Sequence, residues 1–195
     1  DLWGAEHNNK EVLSIGCDNH QGGVMATEHM ISLGLSKIAF LGDASEHSPE
    51  FRDRYLGHAE VLKKVGIKLN KKCQFDAIST ESSGFDAAMK LLDSGHEFDS
   101  IFAASDLIAI GAIRALKKRG VRVPEDIAVV GYDDIPVASF ANPSLTTVKQ
   151  NTKLAGEILV DSLLKLIRGK EVGPQLIPTN MVVRHSCGGN TDIED

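Results

Sequence analysis

Four short apolar runs in this chain end on carboxylates: LSIGCD at Asp18, IAFLGD at Asp43, IFAASD at Asp106, and IAVVGYDD at Asp133 and Asp134. A carboxylate accepts hydrogen bonds from hydroxyl groups and can hold a divalent cation, so acids repeated at one edge describe a site for a polar ligand or a metal. Apolar runs without alternation suit strands buried on both faces, and open parallel sheets bind ligands beyond the carboxyl ends of their strands. Two of the acids have local uses as well, since Asp106 can cap the helix that follows and Asp43 can hold a turn. Gly131 to Pro136, GYDDIP, reads instead as a strand running into a loop. No cap is needed there, so Asp133 is the acid expected to meet a ligand.

Opposite charge comes from EFRDRYLGH, on a helix opened by Ser48 and Pro49. Arg52 and Arg54 are two positions apart and face differently, one toward solvent and Asp53, the other able to reach inward. A guanidinium facing carboxylates suits a hydroxyl-rich or partly anionic small molecule, because its planar fork donates paired hydrogen bonds to neighbouring oxygens. A plain surface arginine is the other reading of this position.

Other chemistries lack their residues. The seven histidines never stand four apart, and no Cys-x-x-Cys occurs, so no metal is expected. Gly-x-Ser-x-Gly and a Gly-x-x-x-x-Gly-Lys phosphate cradle are absent as well. A phosphoreceiver would want a lysine at a late strand end, where this chain has Tyr132-Asp133-Asp134. Gly22-Gly23 reads as a turn or a helix start, and Lys117-Lys118-Arg119 as helix-ending cations that answer the macrodipole. The expectation is a binding protein, with no catalysis and no cofactor.

The elements that must carry these residues are legible too. Five amphipathic stretches stop at Gly34, Gly66, Gly95, Gly120 and Gly169, as helices closed by a left-handed residue do. Leu107, Ile110, Gly111, Ala115 and Leu116 share one helix face, and Leu154, Ile158, Leu159, Leu163 and Leu166 another. Ser48, Asp106, and Asn151 or Thr152 mark helix starts. Between the helices lie the strand candidates VLSIG, KIAFLG, FDAIS, SIFAA, DIAVVGY, TTVKQ and NMVV. Alternation of strand and helix predicts an α/β fold with a parallel sheet and right-handed crossovers. NPSLTTVKQ, residues 142 to 150, breaks the rhythm as a crossing between lobes would.

Composition narrows the setting. With 195 residues, 42% of them hydrophobic, the chain can bury a large core, and a net charge of −6 gives no broad footprint for a phosphate backbone. Cys17, Cys73 and Cys187 form no disulfide framework, which fits a reducing compartment. No run reaches the roughly 20 apolar residues of a membrane span, and the opening DLWGAEHNNKE lacks the form of a signal peptide, so a cytoplasmic setting without membrane contact is expected. A start without methionine, almost on a strand, suggests part of a longer protein.

Residues 101 to 150, IFAASDLIAIGAIRALKKRGVRVPEDIAVVGYDDIPVASFANPSLTTVKQ, resemble the effector-sensing core of the lac-repressor/galactose-repressor family. The distinctive parts are Ser105 to Ala112, Gly120 to Ile127, Gly131 to Pro136 and Pro143 to Gln150, supported by Asp18-Asn19 with Gly22-Gly23, by Arg54 to Gly57 and by Met181 to Ser186. The resemblance runs from about residue 12 to residue 187. It implies a two-lobed, periplasmic-binding-protein-like fold with effector held between the lobes and three chain crossings. On that reading 1–18 ends the N-terminal lobe, 19–149 is the C-terminal effector-binding lobe, 150–179 is a returning helix and strand of the N-terminal lobe, and 180–195 is a final strand and tail. Most of the N-terminal lobe, the helix-turn-helix head and the hinge helix would lie outside this chain.

The resemblance also implies roles for single residues. Arg54 and Asp133 match the family's effector-binding arginine and aspartate. Ser105, where many relatives carry asparagine, precedes Asp106, while Ser79 and Glu50 stand where some relatives line the pocket, and Asp18 joins them as an effector-binding candidate. The implied ligand is a sugar or related polar metabolite, sensed in a homodimer whose missing heads read operator DNA. A periplasmic sugar-binding protein of a transport system is the alternative. Either way, the helix after Thr152 would keep an apolar face with little to cover it, and the bare chain would associate.

Overall fold

The computed structural model describes residues 14–189. Val12 and Leu13, at the start of the expected first strand, lie outside them, as do the remainder of 1–13 and the tail after 189. Strands and helices alternate as β1 (Ile15–Cys17), α1 (Asn19–Ser32), β2 (Ile38–Leu41), α2 (Pro49–Lys64), β3 (Gln74–Phe75), α3 (Glu81–Asp93), β4 (Ser100–Ala103), α4 (Asp106–Lys118), β5 (Ala128–Asp133), β6 (Thr146–Gln150), α5 (Thr152–Ile167), β7 (Gln175–Ile177) and β8 (Thr179–Val182). Every residue of β2 and β4 is buried, as unalternating apolar runs require when helices cover both faces.

Six strands form the main sheet in the order β3-β2-β4-β5-β6-β8, parallel throughout except for β8, which runs antiparallel to β6. From β2 the chain winds outward to β3, then returns to β4 and winds the other way to β5. Right-handed crossovers in opposite directions put their helices on opposite faces, and α1 packs with α2 while α3 packs with α4. The reversal leaves a crevice beyond the carboxyl ends of β2 and β4, the switch point where open α/β sheets receive ligands.

β1 and β7 make a separate two-stranded parallel sheet, with Ile15, Cys17 and Ile177 packed on Ala155 of α5. Its connections to the main sheet run side by side: Asp18 N–H donates to the Ile177 carbonyl at 3.0 Å, and Gln150 pairs with Thr179 in the ladder. Of the face expected on α5, Leu154, Ile158 and Leu159 also pack on this cluster, while Leu163 and Leu166 are exposed together with Val160, Leu164 and Ile167, the last at 72%, so the expected uncovered face is present in part.

The five helix-closing glycines all have positive φ, between 71° and 83°. Local chemistry differs from expectation in four places. Ser48 makes no side-chain cap; its hydroxyl donates to Asp43 Oδ2 at 2.8 Å instead. Gly22 and Gly23 lie inside α1, where a Cβ on Gly23 would overlap the Arg54 carbonyl of α2, so they let two helices touch backbone to backbone. Leu107 is exposed at the mouth of α4, whose buried face runs through Ile108, Ala112, Ala115 and Leu116. Of FDAIS only Phe75 enters the sheet, in a two-residue strand that begins one position earlier at Gln74. β7 was legible only as the returning strand of the family pattern, since Gln175–Ile177 is too short and too exposed to read as a strand by itself.

Candidate functional site

At the switch point the chain stores strain. Asp133 and Asp134, the last residue of β5 and its successor, have φ of 115° and 55°, a region that side chains other than glycine enter at a cost. The turn they make points the Asp133 carboxylate across the crevice toward α2. The Asp134 carboxylate is held by Arg184 at 2.7 Å and Lys149 at 3.3 Å.

Arg54, in the second turn of α2, is only 2% exposed. Its guanidinium is fixed on every side. Nε donates to Asn19 Oδ1 at 2.9 Å, Nη1 donates to the Ala104 carbonyl, and the plane lies 3.6 Å over the Tyr132 ring. Asp133 Oδ1 is 3.6 Å from Nη1 and accepts from Gln150 Nε2 at 2.5 Å. Burial raises the Asp133 carboxyl above the ordinary carboxylate range, and Arg54 and then Gln150 pull it back.

These groups open on a hollow of about 690 Å³ lined by Glu50, Phe51, Arg54, Ser79, Asp133, Gln150 and neighbouring residues. A carboxylate, an amide, a hydroxyl and a buried guanidinium beside the Phe51 ring offer the donors and acceptors that a hydroxylated small molecule needs. Among the described residues no three potential metal ligands cluster.

The sequence candidates divide. Arg54, Asp133, Ser79 and Glu50 share this hollow; Asp18, Ser105 and Asp106 do not line it. Asp18 caps α1, accepting from Gln21 N–H at 2.9 Å. Ser105 caps α4 through Ile108 N–H and receives a hydrogen bond from Ser79 at 3.0 Å, so it stands one residue behind the wall. Asp106 is fully buried, and desolvation pushes its carboxyl up to about 7 despite hydrogen bonds from Thr147 and Ile135. Sequence reasoning missed Asn19 and Gln150 as polar partners; the family match at Asp18-Asn19 and at Pro143 to Gln150 was the one available signal.

Residues 27–187 match the model of a periplasmic binding protein-like domain. The HTH-type transcriptional regulator CelR of Thermobifida fusca is 36% identical over 179 residues, which are 91% of this chain and 52% of that protein. A transcriptional regulator CelR–cellobiose complex matches the fold with a TM-score of 0.87 and 35% identity, covering 94% of this chain and 57% of that one. A lac repressor dimer bound to operator and the anti-inducer ONPF matches with a TM-score of 0.84 and 34% identity, over 93% of this chain and 54% of that one. The chain spans about half the length of the curated relatives it matches. These relatives are transcriptional regulators and not enzymes.

Proposed function

This chain belongs to the periplasmic binding protein-like domain family, in its lac-repressor/galactose-repressor branch, and from that premise we propose that it senses a neutral saccharide and transmits its occupancy to a DNA-reading head. The observation that carries the reading is the meeting of Arg54 and Asp133, 79 positions apart in the chain, on one hollow with Glu50, Ser79 and Gln150. The guanidinium is already paired by Asp133, and Asp134 is paired by Arg184 and Lys149, which leaves Glu50 as an acid with no cation partner among the described residues. Hydroxyl groups suit such a wall and anionic groups do not. The relative solved with cellobiose gives a β-glucoside as a first ligand to try.

In this reading residues 19–149 and 180 onward form the effector-binding lobe, while β1, α5 and β7 belong to a second lobe. A saccharide binding one lobe arrangement better than another shifts their equilibrium by that difference in affinity. The test is a thermal-shift screen of the full-length protein against mono- and disaccharides, cellobiose included, and their phosphates. A neutral sugar at 100 times its Kd stabilises by about 2.7 kcal/mol, a shift of several degrees. Asp133→Asn should erase the shift. A response to the phosphates alone, or an unchanged shift in the variant, overturns the assignment.

We also propose a homodimer, as the two-fold symmetry of an operator would require. Phe140 is 86% exposed and Val137 46% on the turn after β5. An aromatic ring standing in water is the usual anchor of a protein interface. Phe140→Asp should raise the dimer dissociation constant by about 30-fold or more, the effect of losing one anchor worth ~2 kcal/mol. Sedimentation velocity across a dilution series reads it.

A further inference from the structure

Asp106 raises a question that the hollow does not answer: why a carboxyl should be completely buried one residue behind a binding wall. Its two oxygens have distinct partners. Oδ2 accepts from the backbone N–H of Ile135 at 2.8 Å, and Oδ1 accepts from the Thr147 hydroxyl at 2.6 Å. Thr147 Oγ1 in turn stands 3.4 Å from the backbone N–H of Asp134. The positive-φ residues Asp133 and Asp134 are therefore followed directly by an amide that Asp106 holds, and the second of them donates to the hydroxyl that Asp106 holds. Gly131, two residues before the turn, presents bare backbone to the same carboxyl: a Cβ there would overlap Asp106 Oδ1.

We infer that Asp106 is a positioning residue for the ligand site: through Ile135 N–H and Thr147 it locks the strained turn that aims the Asp133 carboxylate at Arg54 and the hollow. The inference rests on the saccharide reading of that hollow. Strain of this kind persists only where surrounding contacts over-determine it, and here one side chain supplies two of those contacts. With the lock removed, Asp133 and Asp134 relax toward ordinary φ and the carboxylate leaves its place beside Nη1 of Arg54. An asparagine keeps both contacts, its oxygen accepting from Ile135 and its amide donating to the Thr147 oxygen; an alanine keeps neither.

The experiment compares Asp106→Asn, Asp106→Ala and Thr147→Val in the full-length protein, titrated by calorimetry with the saccharide giving the largest wild-type shift in the panel above. Asp106→Ala should weaken binding about tenfold or more, Thr147→Val by less, and Asp106→Asn should restore affinity to within about threefold of wild type. Amide hydrogen exchange at Ile135 should quicken in the alanine variant and stay slow in the asparagine one, a readout that overall stability does not imitate when the core amides of β4 remain protected. Should the alanine variant not fold, Thr147→Val and Asp106→Asn decide the matter. Wild-type affinity in Asp106→Ala or Thr147→Val, or equal loss in Asp106→Asn and Asp106→Ala, overturns the positioning role. A wild-type protein that binds no member of the panel overturns the saccharide reading first, and this role with it.

Discussion

Replacing Arg54 with methionine should abolish the saccharide binding proposed above and lower the stability of the ligand-free protein by about 3 kcal/mol, the lower end of the cost of stripping one partner from a buried ion pair. Methionine keeps the aliphatic stem and its packing, so the change isolates the guanidinium. Two groups then lose a hydrogen-bond donor, Asn19 Oδ1 and the Ala104 carbonyl, and Asp133 Oδ1 loses its cation while keeping Gln150 Nε2. The first two are buried and pay the full desolvation of an unmade hydrogen bond. Asp133 retains 26% exposure and can turn to water, which is why the lower figure applies. Stacking on Tyr132 disappears as well. Chemical denaturation of the variant without ligand, beside calorimetry with ligand, separates the two losses. Wild-type stability with lost binding would mean that the arginine touches ligand without organising the wall.

The second large effect is a pair of opposed pH dependences. His58 is fully buried among Phe40, Tyr55 and Phe102, and desolvation lowers its pKa to about 4. Nδ1 stands 3.0 Å from the Thr27 hydroxyl, which itself donates to the Gly23 carbonyl, so Nδ1 carries the proton; Nε2 has no partner among the described residues. A depressed pKa means that the unfolded chain binds the proton more tightly. Stability from His58 is therefore complete above pH 6.5 and falls by about 3 kcal/mol as pH drops toward 4. Asp106 has the opposite sign. Its raised pKa favours the folded state while protonated, and about 4 kcal/mol of stability is lost as pH climbs from about 4 to about 7.

Between pH 4 and 6.5 the two slopes nearly cancel. Asp106→Asn removes one of them, so that variant should lose stability steeply with acid where wild type stays nearly level. His58→Leu should do the reverse and become less stable as pH rises. Urea midpoints measured at half-unit steps from pH 4 to 8 read both, and parallel curves for wild type and Asp106→Asn would show that the carboxyl titrates in its ordinary range.

The edge was legible in the sequence, and its occupants only partly. Runs ending on acids do mark the carboxyl ends of parallel strands, because a strand buried on both faces must be apolar up to the point where it surfaces. What an acid does after surfacing depends on the next few backbone N–H groups. Asp18 turns back to cap α1, Asp43 folds onto Ser45 and Ser48, and Asp106 runs inward to another strand. Of these acids only Asp133 and its successor Asp134 line the hollow, and the clue was negative: no α-helix follows them at once. The closing glycines were readable because positive φ is a demand on one residue. Asn19 and Gln150 answer to partners 35 and 17 positions away, which no local pattern carries.

The neighbouring connections between the two sheets also have a mechanical meaning. Cys17 to Asp18, Gln150 to Asn151 and Ile177 to Thr179 pass through one small patch, so any swing of the small sheet pivots there instead of shearing across a broad front. α5 departs from that pivot as a lever of 16 residues, about 24 Å long. A swing of about 10° carries its far tip through about 4 Å, while groups at the fulcrum travel a fraction of an ångström. On the proposed reading, a saccharide held beside such a fulcrum need shift its own contacts very little to be felt at a distance.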